Sequence, residues 1–217
     1  MKEPLVIIGA SGFGREVANL VEDINKQEYR WDLLGLIDDK LEGITVEGYK
    51  IIGPISVLDS IRPKPKVVIA IADTKTRRTL ANTLAGKGFS FATLVHPTVS
   101  YGRAISIGEG TIICKYSHLT TNISVGKHNI INEICGFGHD TVLHDFVSIM
   151  SHSIFGGNVE VGNGCYFGLN TVVINQIKIG EWSVIGAGAT VVDDIPPYSL
   201  AVGVPARVIK KLDQFDV

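Results

Sequence analysis

Residues 137–173 read FGHDTVLHDFVSIMSHSIFGGNVEVGNGCYFGLNTVV, with an apolar residue at every sixth position: Phe137, Leu143, Ile149, Phe155, Val161, Phe167 and Val173. The frame extends unbroken in both directions. It begins at Val95 and passes Tyr101, Ile107, Ile113, Leu119, Val125 and Ile131, and beyond Val173 it continues through Ile179, Ile185 and Val191. At 45% apolar residues overall, a preset frame survives this long with a chance on the order of one in a million. A second period of eighteen overlies it, with Ile107-Gly108, Val125-Gly126, Val161-Gly162 and Ile179-Gly180 in equivalent places and Leu143-His144 in the middle slot. Four residues after the apolar positions the side chains are small or modestly apolar, as at Thr111, Ser117, Cys135, Thr141, Ser153, Cys165, Thr171, Ser183 and Ala189.

Six-residue units grouped in eighteens describe a triangular coil with three short strands per turn, each turn stacked on the last at ~4.8 Å. This is a parallel β-helix of hexapeptide repeats. The frame residues are expected to point inward over roughly five coils from about 95 to 195. Pro196-Pro197 is expected to end the coil, since neither can donate a ladder hydrogen bond. Cys135 and Cys165 fall in inward slots and read as packing residues.

The N-terminal third has a different grammar. Residues 4–9 (PLVIIG) predict a buried strand, and Gly9-Ala-Ser-Gly12-Phe-Gly14 a glycine turn. Arg15 to Asn25 predicts a helix with Val17, Leu20 and Val21 on one face. WDLLGLIDD predicts a second strand ending at Asp38-Asp39, Lys66–Ile71 a third, and Thr74–Gly86 a second helix. Strand, glycine turn, helix, strand, acidic end is the order of a nucleotide-binding, Rossmann-like βαβ unit. The spacing G-x-x-G-x-G is not the dinucleotide fingerprint. A unit this small suits one nucleotide better than NAD, with a nucleotide sugar's diphosphate at the helix N-terminus and its base or ribose near Asp38-Asp39. The expected division is an α/β domain over 1–92 and a β-helix domain with a C-terminal tail over 93–217.

Composition removes several classes. The formal charge of −2 carries no footprint for nucleic acid or an anionic membrane. No apolar run approaches the ~20 residues that cross a bilayer, and the start MKEPLVIIGASG lacks a secretory pattern. The 3 cysteines contain no CxxC pair, so neither a disulfide framework nor a zinc knuckle is indicated. A cytoplasmic protein is expected.

The coil register sorts the histidines. Thr121, His139, Gly157 and Asn175 stack in one outward column, and Asn122, Asp140, Asn158 and Gln176 in the next. A base beside a carboxylate, with a bare backbone amide one coil above at ~5 Å, suits acyl transfer. The histidine would accept a proton, the carboxylate would orient it, and the amide would bind an oxyanion. An ordinary exposed histidine is the competing reading. Zinc fits poorly, because the positions below His139 are Thr121 and Arg103 and a catalytic zinc usually has three protein ligands. No metal is expected.

The motifs IIGASGFGREV, LIDD, VVIAIAD, VHPTVS, GFGHDTVLHDF, FGGNVEVGNGCYFGLNTVV, VIGAGATVV and GVPAR together resemble the bacterial sugar acyltransferases of the PglD and NeuD group. The resemblance spans almost the whole chain. It implies a nucleotide-sugar domain followed by a left-handed hexapeptide β-helix, assembled as a homotrimer with the acetyl site between chains. It places the proton acceptor on His139, its partner on Asp140, and the oxyanion amide on Gly157. Acetyl-CoA contacts fall on Ser148, Leu169 and Ala187, and nucleotide-sugar contacts on Ser11, Gly12, Phe13, Asp38, Asp39 and Ala72. Two positions depart from the group: Phe13 stands where a histidine is common, and Ser148 where some members carry a histidine near the thioester. His144 and His152 have no counterpart and read as solvated side chains.

The expected activity is acetyl-CoA-dependent N-acetylation of a nucleotide-linked amino sugar, of the UDP- or dTDP-4-amino-4,6-dideoxyhexose type, for surface glycan or glycoprotein sugars. O-acetylation of a sialic-acid-type sugar and a non-catalytic trimeric scaffold are the alternatives. The sequence leaves open the nucleotide base, the sugar's stereochemistry, the acyl length and the pathway.

Overall fold

A computed structural model describes residues 2–39, 41 and 43–213. The N-terminal half contains β1 (Glu3–Ile8), α1 (Gly12–Glu28), β2 (Trp31–Ile37), β3 (Thr45–Val46), β4 (Tyr49–Gly53), β5 (Lys66–Ile69) and α2 (Thr74–Gly86). The sheet order is β3-β4-β2-β1-β5, with β1 parallel to both β2 and β5. Leu5 to Ile8 are buried on both faces of this inner strand, which is why PLVIIG reads as an uninterrupted apolar run. The antiparallel pair β3 and β4 extends the sheet and had no counterpart in the expected order. These strands are short and only partly buried, so their pattern is weak.

Helix α1 starts at Gly12 rather than Arg15 and runs on to Glu28 rather than Asn25, ending at the left-handed Tyr29 (φ 48). The glycine turn is therefore the helix's own first turn. A Cβ on Gly14 would stand 2.0 Å from the Gly9 carbonyl oxygen, so glycine here lets the helix cross the strand at contact distance. Helix α2 occupies the expected span and is capped by Asp73, whose carboxylate accepts the Thr76 amide at 2.8 Å.

From Leu94 the chain winds into a triangular prism. Face I stacks Leu94–Val95, Ile112–Ile113, Ile130–Ile131, Ser148–Ile149, Tyr166–Phe167 and Val184–Ile185, each parallel to the next. Face II stacks Ser100–Tyr101 up to Thr190–Val191, and face III stacks Ile105–Ile107 up to Lys178–Ile179. Equivalent residues are eighteen apart, as Ile130 opposite Ile112 and Ile149 opposite Ile131. This is the parallel β-helix the period required.

Frame residues from Ile113 to Val191 are buried in one continuous core, with Phe137 stacked on Phe155 at 5.1 Å and Phe155 edge-on to Phe167 at 5.0 Å. The first coil is the exception. Val95 and Ile107 are only partly buried, and Tyr101 is 59% exposed instead of inward. No earlier coil supports that layer from below. The small inward residues carry a second function, donating across to the next layer. Thr111 Oγ1 reaches the Gly126 carbonyl at 2.9 Å, Ser117 Oγ the Asn132 carbonyl at 2.9 Å, and Ser183 Oγ the Pro196 carbonyl at 2.9 Å. Cys135 and Cys165 take the same slots, buried and free of disulfides.

Every sixth residue from Ala104 through Gly188 has positive φ, including Asn122, His128, Asp140, Phe146, Asn158, Asn170 and Gly164. Each corner thus turns on one left-handed residue, which Gly, Asn and Asp adopt most readily. Pro196-Pro197 does not end the coil. Ile195 bridges Ile179, and Ser199–Val202 continues face I in parallel beyond the prolines before Arg207–Lys211 folds back antiparallel. The prolines sit at a corner, where no strand donor is needed, and Gly180 lies against them.

The two halves share a core. Ala92, Leu94, Ile112, Cys114 and Ile130, on the outer side of face I, pack with Val17, Leu20 and Val21 of α1.

Candidate active site

The corner between faces II and III brings His139 and Asp140 together. Gly138 donates to the Phe155 carbonyl at 2.8 Å and Asp140 to the Thr121 carbonyl at 3.1 Å, so the ladder holds the backbone on both sides of His139. Asp140 occupies the left-handed corner position (φ 60). Its Oδ2 lies 2.6 Å from His139 Nδ1, and its Oδ1 accepts the Asn122 amide at 2.6 Å from one coil below. The Asn122 hydrogen bond first, and His139 second, hold the Asp140 carboxyl below the usual carboxylate range. Asn122 was visible in the sequence as part of a polar column; its role in fixing Asp140 was not.

With Nδ1 donating to an ionised carboxylate, His139 Nε2 is left as the acceptor. It points over Gly157, where a Cβ would stand 2.6 Å away. The equivalent residues of the next corner direct their amides outward. At Lys127 and Asp145 such amides donate to Asp145 Oδ1 at 2.7 Å and Asn163 Oδ1 at 2.9 Å. Among the described residues the Gly157 amide has no acceptor. A side-chain base with its inner nitrogen anchored, beside a backbone N–H without an acceptor, can move a proton and bind an oxyanion. The His139 side chain is 59% exposed, open to a partner or substrate.

The other expected contacts divide. Leu169 and Ala187 stack eighteen residues apart at the corner between faces I and II, both exposed. That is a different edge of the prism from His139. Ser148 is the exception among the three expected coenzyme contacts. It is fully buried on face I, its hydroxyl donating to the Ala72 carbonyl at 2.7 Å and accepting from Arg77 Nη2 at 2.9 Å. Ser148 is covered by the β5–α2 loop. Ala72 is correspondingly tied by its carbonyl.

In the N-terminal half a cleft of about 430 Å³ opens at the carboxyl ends of the parallel strands, lined by Gly9, Ile37, Asp38, Asp39, Ile71 and Thr76 among others. Asp39 has a structural duty as well, accepting the Ile55 amide at 3.0 Å and so fixing the 3-10 turn Ile55–Asp59. Ser11, the N-cap of α1, makes no side-chain capping bond, and Gly12 beside it is exposed with little around its Cβ position. The first turn of α1 contains no acidic residue. It can receive an anionic group. Phe13 turns partly into the α1 core instead.

Among the described residues there is no group of three or more His, Cys, Asp or Glu arranged to hold a metal. No helix among them is long and apolar enough to cross a membrane. His144 Nε2 lies 3.4 Å from Glu160, and His152 is exposed. His128 and Arg77 are buried, and neither stood out in the sequence. Burial pushes the Arg77 pKa down to about 9, still high enough to keep its charge at neutral pH.

Residues 4–84 match the family described as the PglD N-terminal domain. Across 94% of this chain and 96% of the relative, the sequence is 29% identical to a GDP-perosamine N-acetyltransferase of Escherichia coli O157:H7. WeeI from Acinetobacter baumannii AYE superposes with a TM-score of 0.89 at 29% identity, over 96% of this chain and 100% of that one. A mutant perosamine N-acetyltransferase from Caulobacter crescentus, solved with CoA and GDP-perosamine, also superposes at 0.89, with 26% identity over 95% and 97% of the two chains.

Proposed function

This chain belongs to the PglD and NeuD group of bacterial sugar acyltransferases, and from that premise we propose that it transfers acetyl from acetyl-CoA to the amine of a nucleotide-linked sugar. The observation that carries the reading is the corner pair. Asp140 holds His139 by Nδ1, and Nε2 lies over the bare backbone of Gly157. The sugar nitrogen attacks the thioester carbonyl as Nε2 takes its proton. The carbonyl oxygen becomes an oxyanion facing the Gly157 N–H, and the tetrahedral centre collapses by expelling the CoA thiolate. The imidazolium then returns a proton to the thiolate, so protons and charge balance. Asp140 remains ionised throughout and stabilises the imidazolium.

The N-terminal domain is read as the nucleotide holder, with the diphosphate at Ser11 and Gly12 and the base or ribose beside Asp38. The relatives named for GDP-perosamine support an amino sugar as acceptor and widen the nucleotide choice beyond UDP and dTDP to include GDP. A homotrimer in the cytoplasm is the proposed working form. His139 with Gly157 and Leu169 with Ala187 sit on different edges of one prism, so a site using both sets requires a second copy. Face II, between those edges, exposes Ile154, Val172 and Ile174, apolar surface that a closed threefold contact would bury.

Thiol release from acetyl-CoA tests the reading, with nucleotide-linked amino sugars, nucleotide-linked hydroxy sugars and free sugars compared side by side. Turnover with the nucleotide-linked amine is expected to dominate. Dominant turnover on a hydroxyl would establish O-acetylation instead, and no turnover with any acceptor would favour a scaffold.

A further inference from the structure

Arg77 is completely buried, at the junction of the two halves. Its Nε donates to the His128 carbonyl at 2.8 Å. Nη1 donates to the Ile71 and Ala72 carbonyls at 2.6 and 3.0 Å. Nη2 donates to the Phe146 and Val147 carbonyls at 2.8 and 3.2 Å and to Ser148 Oγ at 2.9 Å. Among the described residues no carboxylate hydrogen-bonds this guanidinium. A buried charge held only by carbonyls and a hydroxyl is a costly way to glue two surfaces, since apolar side chains of similar volume generally do as well. What a planar fork of fixed donors supplies is orientation.

The two sets of acceptors have different owners. Ile71 and Ala72 form the loop after β5, and Ile71 walls the nucleotide cleft. His128, Phe146, Val147 and Ser148 belong to the coil, at the corner between faces III and I and the strand that leaves it. We infer that Arg77 is a positioning residue: it locks the wall of the nucleotide cleft to the coil, so that a sugar held by its nucleotide is presented to the acetyl site in one geometry. The inference rests on the nucleotide-sugar reading. Arg77 touches neither substrate nor reacting atoms. Its effect is confined to acceptors that must bridge both halves, and a free amino sugar, which bypasses the cleft, does not need it.

The test compares wild type with Arg77→Lys and Arg77→Met on two acceptors, the nucleotide-linked amino sugar and the corresponding free amino sugar. Affinity for the bare nucleoside diphosphate is measured by calorimetry. The ratio of kcat/KM between the tethered and free acceptors is expected to fall about ten-fold or more, because misplacement by an ångström is that costly. Nucleoside diphosphate affinity and the acetyl-CoA KM should stay within about two-fold. An unchanged ratio, with only the Tm lowered, would show a merely structural residue and overturn the inference; so would a parallel loss of nucleoside diphosphate affinity. Should both substitutions prevent folding, Ser148→Ala removes one arm of the clasp without burying an unpaired charge. It is expected to lower the same ratio by about three-fold with the acetyl-CoA KM unchanged. A raised acetyl-CoA KM, or no change in the ratio, would refute the clasp. If wild type shows no preference for the tethered acceptor, the nucleotide-sugar reading itself fails and this inference falls with it.

Discussion

His128 and His139 lie on neighbouring corners of the same coil, built on the same ladder, yet they inhabit opposite environments. The His139 side chain is 59% exposed, paired with Asp140, and lies over the Gly157 amide, which has no acceptor among the described residues. His128 is 5% exposed, with its ring stacked on Phe146 at 5.2 Å and edge-on to Phe91 at 4.5 Å. Among the described residues its Nδ1 has no hydrogen-bond partner. The difference comes from what covers each edge. Helix α2 lies along the His128 corner, inserting Arg77 against its carbonyls and laying Arg78 over the Trp182 ring at 4.1 Å. Among the described residues nothing covers the His139 corner. One edge of the prism holds the two halves together, and the other is left open.

This contrast can be broken most severely by His139→Ala. Turnover should fall by about 10²–10⁴-fold, the usual contribution of a general base, with the thermal unfolding midpoint unchanged. Near-wild-type turnover would remove His139 from the mechanism. Gly157→Ala is the next largest effect. Its methyl would stand 2.6 Å from Nε2 and must push the imidazole aside, which should cost on the order of 10²-fold in kcat while acetyl-CoA binding persists. Asp140→Asn should cost less, about ten-fold, since it removes orientation and charge but leaves the base. A loss matching that of His139→Ala would mean that holding the Nε2-acceptor tautomer is as essential as the base itself.

The buried histidine sharpens the comparison from the side of stability. Burial pushes the His128 pKa down from 6.5 to about 4, so between those values the unfolded chain binds a proton that the native chain refuses. Its contribution is therefore intact above about pH 6.5 and is lost as pH falls toward 4. Urea unfolding at pH 7 and pH 4.5 should show a decline on the order of 1–3 kcal/mol from this group. His128→Phe, which keeps a ring between Phe91 and Phe146, should flatten that slope. An equal slope in the variant would assign the acid sensitivity elsewhere.

The coil was legible because its rule is local. A six-residue period fixes which side chain points inward, and eighteen residues later the chain returns above itself. His139, Asp140 and Gly157 could therefore be placed together by counting. The same arithmetic failed at Tyr101, where no coil lies beneath, and at Pro196-Pro197, where a corner dispenses with the donor that a strand would need. In the N-terminal half the strand–turn–helix order was readable from glycines and apolar runs. The antiparallel pair β3 and β4 was too short and too exposed to leave a period.

The sequence by itself thus determined the prism, its inward residues and the meeting of His139, Asp140 and Gly157 at one corner, since each depends on neighbours at fixed small separations. Only the tertiary structure decided that Ser148 is buried rather than open to a coenzyme, that Asp39 also fixes a turn, and that Arg77 joins the cleft to the coil. Those facts depend on contacts such as Arg77 with His128 and Ser148 with Ala72, separated by 51 and 76 residues. No periodicity links such positions. They meet because α1 and α2 bury their apolar and cationic faces on one side of the prism, and burial across two domains is a property of their packing rather than of either pattern alone.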